Sequence, residues 1–121
     1  MVCRTWAINT PEQVYLLNYH LIWCLKRRRA ILVGKIKHRL EQIIRETAKE
    51  MHVEVLDHAV NPDHLHPFIS AYPQLPTHKI VKRFKARSSH MLYREFPQLL
   101  KLPSLWTHTY FVSTRVHPEA E

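Results

Sequence analysis

The segment Val14–Arg28, VYLLNYHLIWCLKRR, is apolar on both of its alternating faces and rich in β-branched, aromatic and aliphatic side chains. Successive side chains of a strand point to opposite faces, so a strand of this kind is expected in the middle of a sheet. A central strand needs a neighbour on each edge, and the rest of the chain must supply them.

From Lys35 the period changes. Ile36, Leu40, Ile43, Ile44 and Met51 recur at helical spacing, while Lys37, Arg39, Glu41, Arg45, Glu46 and Lys49 fill the other faces, which predicts an amphipathic helix. Val53–Val60 alternates as a strand, Asn61-Pro62-Asp63 supplies turn chemistry, and HLHPFISAY from His64 reads as the returning strand of a hairpin. LPTHKIVKRFKARSSHMLYREF predicts a second helix that starts at Pro76 or Thr77 and stops before Pro97. Its apolar stripe is Ile80, Val81, Phe84, Met91 and Leu92. Ser104–Thr114 is expected to be the last strand. The order βαββαβ is that of a ferredoxin-like α+β sandwich, an antiparallel sheet with two helices packed on one face. The expected domain spans residues 14–115, after an extension of residues 1–13 and before a short tail of residues 116–121.

Composition narrows the function. One glycine among 121 residues rules out a P-loop or a dinucleotide-binding glycine motif, so no nucleotide cofactor is expected. With eight prolines, the turns should rest on Pro, Asn and Asp. No G-x-S-x-G pattern occurs, and Cys3 and Cys24 are too far apart for a C-x-x-C site. The N-terminal residues lack the apolar run of a signal peptide and no segment has membrane-spanning length, so a cytoplasmic protein with no membrane partner is expected. A net charge of +8 favours a polyanion, nucleic acid before membrane. A basic protein with no nucleic-acid role stays open on charge alone.

NPDHLHPFIS places His64 and His66 one residue apart. With 10 histidines in the chain, such a triplet arises about once by chance, so spacing alone is weak. On a strand the two rings share a face about 6.6 Å apart and can converge on one metal ion, with Leu65 anchoring the opposite face. Two solvated histidines at a strand start fit the same spacing. His58 and Asp63 are candidate further ligands, although Asp63 is also a natural turn residue. Two basic clusters, Lys26, Arg27, Arg28 and Arg29 in one and Lys79, Lys82, Arg83, Lys85 and Arg87 in the other, could track a phosphate backbone or be solvated faces. Tyr72, Tyr93 and Trp106 could stack on bases or pack in the core.

Three segments, NYHLIWCLKRRRAILVG, NPDHLHPFISAYPQLPTHKIVKRFKARSS and LWTHTYFVST, occur in an order and at separations that match a known family. The chain resembles, from about Val14 to Thr114, the TnpA transposases of the "two-hundred" group of insertion sequences, which are single-tyrosine nucleases of the His-hydrophobic-His class. The resemblance implies that His64 and His66 hold a divalent ion, Mg2+ or Mn2+. It also implies a homodimer acting on single-stranded DNA hairpins at element ends. In the family a tyrosine on a later helix attacks phosphorus, so strands are cut and rejoined through a phosphotyrosine. Here no tyrosine follows Tyr110, which lies in the strand motif, so no catalytic nucleophile is assigned. Ala59 stands where relatives tend to have an acid, and Pro67 follows the histidine pair, where it removes a ladder hydrogen bond. These departures lead to the expectation of a truncated copy, or of one whose last helix is encoded elsewhere. A catalytically inactive hairpin-binding remnant or repressor is the alternative. A metal protein unrelated to DNA would need a closed ligand set, such as one for zinc.

Overall fold

The structure, a computed structural model, describes residues 16–101 and 104–116. The expected extension of residues 1–13, Cys3 within it, the expected strand start at Val14 and Tyr15, and residues 117–121 lie outside the described residues.

The elements are β1 (Leu17–Cys24), α1 (Gly34–Glu50), β2 (Glu54–Asn61), β3 (His64–Ala71), α2 (Thr77–Glu95) and β4 (Phe111–Val116), with short 3-10 turns at Lys26–Arg28 and Pro97–Lys101. The four strands form one antiparallel sheet in the order β2-β3-β1-β4. That is the ferredoxin-like arrangement of an α+β sandwich, and β1 is central as its two apolar faces require.

Tyr19, Leu21 and Trp23 of β1 and Leu65 and Ile69 of β3 point to the helical side, where they join Leu40, Ile43 and Ile44 of α1 and Ile80, Val81, Phe84 and Leu92 of α2 in one core. The Trp23 ring stacks on Phe84 at 6.0 Å and meets Trp106 edge-on at 6.0 Å. Both helical stripes are wider than the large apolar residues alone. Thr47 and Ser88 are buried too, each turning its hydroxyl back to a carbonyl four residues earlier. Ser88 also accepts the Trp106 indole N–H at 2.8 Å.

The last strand differs from the expected Ser104–Thr114. Regular pairing with β1 starts only at Phe111, opposite Ile22, and a lone bridge joins Trp106 to Leu25. Between these two pairings the later segment has two more residues than β1, so it cannot stay in register. The surplus is drawn towards α2, where the Lys85 ammonium donates to the carbonyls of Thr107 at 2.7 Å and Thr109 at 3.2 Å.

Pro67 lies buried inside β3, which is a central strand. The β1–β3 register runs from Leu17 to His20 and resumes at Trp23, missing Leu21 and Ile22, which face Pro67 and His66. A ladder there needs the N–H that proline lacks, so the strand keeps its place and loses two pairings.

The scarcity of glycine shows in the backbone. Left-handed φ angles fall on Arg27 (61°), Arg28 (53°) and His52 (58°), and only Gly34 (59°) uses a glycine for one. The β2–β3 turn rests on Asn61, Pro62 and Asp63 as expected, whereas the turns at these other positions use Arg, His and Gly instead. A left-handed non-glycine residue costs about 1–2 kcal/mol, so the double arginine kink must be held by its surroundings.

Candidate metal and nucleic-acid site

The β2–β3 hairpin closes in a tight turn, with Asn61 paired to His64 and Pro62-Asp63 between them. From that turn His64, His66 and Phe68 point to the open face of the sheet, while Leu65 and Pro67 go to the helical side. The pair is therefore a true same-face pair rather than a chance neighbourhood in a loop.

Asp63 fixes one ring. Its Oδ1 lies 2.8 Å from His64 Nδ1, and a carboxylate can only accept, so Nδ1 carries the proton. In the neutral ring Nε2 then holds the lone pair, which accepts from the Asn61 amide at 2.8 Å. The hydrogen bond from His64, then that from Arg28, holds the Asp63 carboxyl below its ordinary value. His66 is held below the ordinary histidine value by burial first, then by His20 and His64, against the pull of Asp57. A neutral imidazole is the form that ligates a metal. The hairpin thus presents two imidazoles of the right chemistry for a divalent ion on one face, but the His64 Nε2 lone pair is taken by the Asn61 amide, which has to turn away before that nitrogen can ligate. Among the described residues no cluster of three or more His, Cys, Asp or Glu has metal-holding geometry.

His58 does not join them. It pairs with Pro67 on the helical side, and its Nε2 lies 3.8 Å from Glu41 of α1. Ala59 stands directly opposite His66 on the open face. The neighbour missed in the sequence is His20, which strand pairing sets against Phe68 at 4.1 Å and 5.6 Å from the His66 ring. Its signal is a polar ring on a strand whose other residues, Asn18 apart, are apolar or aromatic.

The cations divide. Lys26, Arg27, Arg28 and Arg29 are on a ridge pinned to the same turn, because Leu25 N–H donates to the Asp63 carbonyl and Leu32 N–H to that of Pro62, both at 3.0 Å. Arg28 Nε reaches Asp63 Oδ2 at 3.0 Å, which links the ridge to the carboxylate behind His64. The α2 cluster does not form one face. Arg83 and Arg87 turn to Glu50 of α1, at 3.6 and 2.9 Å, whereas Lys82 and the half-buried Lys85 turn to the segment before β4. Lys79 is exposed near the start of the helix. Of the aromatic candidates, Tyr93 and Trp106 line a cavity beside Lys82, and Tyr72 lies beyond the far end of β3.

The same fold is found in transposases. A crystal structure of a Deinococcus radiodurans protein assigned as a transposase superposes with a TM-score of 0.80 at 35% identity, covering 86% of this chain and 82% of that one. A REP-associated tyrosine transposase bound to a REP hairpin shares the fold at a TM-score of 0.66 and 14% identity. The fold places the chain among transposase-type α+β domains. The chain belongs to the IS200-like transposase family, whose model matches residues 13–119. It is 38% identical over 104 residues to the ISDra2 transposase TnpA of Deinococcus radiodurans, covering 84% of this chain and 74% of the relative. It is 26% identical over 100 residues to the IS200 transposase of Salmonella typhimurium, of which it spans 66%. No helix among the described residues is long and apolar enough to cross a membrane.

Proposed function

We propose that this chain binds single-stranded DNA hairpins and holds Mg2+ or Mn2+ through His64 and His66, as the DNA-engaging part of an insertion-sequence transposase. One observation carries the reading. A same-face histidine pair, one ring set by Asp63, shares its turn with the ridge Lys26–Arg29. A bound divalent ion would supply Lewis-acid polarisation of a phosphate oxygen. The chain's own residues do the rest of the binding. Asp63 sets the His64 tautomer, burial keeps His66 neutral, and the arginine ridge neutralises the DNA backbone. The hairpin bound by the REP-associated relative supports a hairpin ligand. A homodimer is the assembly expected on the same family grounds.

Strand cutting by these residues alone is not part of the reading. Among the described tyrosines, Tyr19 is buried on the helical side, Tyr93 and Tyr110 line the cavity by α2, and Tyr72 follows the far end of β3. None faces the histidine pair. That placement favours the second reading, a hairpin-binding module that occupies DNA ends without turnover. Both are tested by incubating residues 1–121 with a radiolabelled hairpin and Mn2+. Salt-dependent binding with no denaturant-stable protein–DNA adduct is expected. A covalent adduct would sink the non-cutting account, and an absence of hairpin affinity would sink both.

A further inference from the structure

The His64 imidazole has a close neighbour besides Asp63. Asn61 is its direct partner across the β2–β3 hairpin, and the Asn61 amide Nδ2 donates to His64 Nε2 at 2.8 Å. Residues directly opposite on antiparallel strands share a face, and so do residues two apart on one strand. Asn61 opposite His64 and Ala59 opposite His66 therefore make one patch of the open face. Of the two residues opposite the histidine pair, only Asn61 carries a side-chain oxygen.

The contact blocks the metal-binding nitrogen and holds a ligand next to it. Asp63 keeps the proton on Nδ1, so the Nε2 lone pair is the one that His64 can offer a metal, and the Asn61 N–H occupies it. A carboxamide nitrogen has no lone pair to give, because that pair is delocalised into the carbonyl, and Mg2+ and Mn2+ favour oxygen. The other end of the same amide is an oxygen of nearly the same size, with no hydrogen-bond partner among the described residues. Swinging the amide off the lone-pair line and turning it over brings this Oδ1 beside Nε2 rather than in front of it. The reach is right for that exchange. Adjacent ligands on an octahedral ion, each about 2.1 Å from it, lie about 3 Å apart, and the amide is already 2.8 Å from Nε2.

We propose that Asn61 is a third metal ligand: its amide N–H caps His64 Nε2 until an ion arrives, and the amide then turns over to give Oδ1 to the ion held by His64 and His66. The proposal rests on the metal reading above and deepens it. Three neutral ligands leave the ion its full charge, so phosphate oxygens of bound DNA become its anionic ligands in the positions that stay open. An Asn61 that only closes the turn and guards Nε2 predicts the opposite response, because its removal would free the lone pair and tighten the ion.

The test titrates Mn2+ into the full chain, followed by electron paramagnetic resonance, for the wild type, Asn61→Ala and Asn61→Asp. Asn61→Ala should weaken binding at least about tenfold, the lower end of the loss seen when a group behind a ligand is removed. Asn61→Asp, which sets an anionic oxygen in the same place, should bind at least as tightly as the wild type. Unchanged or tighter binding by Asn61→Ala overturns the ligand role while the histidine pair stands. Wild-type Mn2+ binding that survives His64→Ala/His66→Ala overturns the metal reading and the third ligand with it. A direct readout comes from wild-type chain carrying 13C at the asparagine side-chain carbonyl. Electron–nuclear double resonance of the bound Mn2+ should show the 13C coupling of a ligating carboxamide, lost in Asn61→Asp, where residue 61 is unlabelled. If Asn61→Ala does not fold, that coupling decides, and its absence from the wild type overturns the proposal.

Discussion

The imidazole Nδ1 of His64 donates to the carboxylate of Asp63, the residue immediately before it, at 2.8 Å. The same carboxylate takes Arg28 Nε at 3.0 Å, so a turn residue joins the candidate metal ligand to the basic ridge. Carboxylates behind a ligating histidine fix its tautomer, and their removal typically lowers metal affinity about 10–100-fold. Asp63→Ala should weaken Mn2+ binding by that range, measured by calorimetry, while the far-ultraviolet spectrum stays native. Unchanged affinity would mean that the hydrogen bond serves the turn alone.

His66 gives a pH dependence. Its folded value is depressed, by burial first and then by His20 and His64, so the unfolded chain binds the proton more readily. The contribution is complete above about pH 6.5 and is lost as pH falls through that value towards the depressed one. The melting temperature of the wild type should therefore fall more steeply between about pH 7 and 5.5 than that of His66→Gln. Parallel profiles would show that His66 is not the group responsible.

Leu65, between the two histidines, is fully buried. Leu65→Ala should lower stability by about 2–5 kcal/mol through the transfer and cavity terms, read by urea unfolding. Metal affinity should fall with it, because Leu65 is the anchor that aims both rings outward. A stability loss that leaves affinity intact would separate the pair's geometry from the core.

Lys85 has left the solvated helix face for an internal role, and burial pulls its ammonium below the ordinary lysine value. Charged hydrogen bonds contribute about 1.5–3 kcal/mol when well formed, and this side chain is only half-buried. Lys85→Met is expected to cost about 1–2 kcal/mol and to raise amide exchange in residues 107–110. Exchange confined to α2 would contradict the assigned strut.

The order of elements was legible because period is a local property: strand alternation in β1 and helical spacing in α1 and α2 need no knowledge of partners. The side of the sheet taken by His64 and His66 was legible for the same reason, since Leu65 between them had to enter the core. What sequence could not give was pairing. His20 meets His66 only through the β1–β3 register, and His58 is turned away by its pairing with Pro67. The α2 cations read as one cluster because they are close in sequence, yet Glu50 draws Arg83 and Arg87 to one side and the Thr107 and Thr109 carbonyls draw Lys85 to the other. The aromatic residues of Ser104–Thr114 fit either an extended edge or the surplus segment that Lys85 captures, so their pattern alone does not place the start of β4 at Phe111.

If His64 and His66 hold a divalent ion beside bound DNA, removing both must remove that ion. Mn2+ titration followed by electron paramagnetic resonance, with saturating hairpin DNA, tests it on the wild type and on the His64→Ala/His66→Ala double variant. The wild type should bind one ion per chain, and the double variant should lose that ion while keeping metal-independent hairpin binding through Lys26–Arg29. Equal Mn2+ binding by the two proteins would contradict the account.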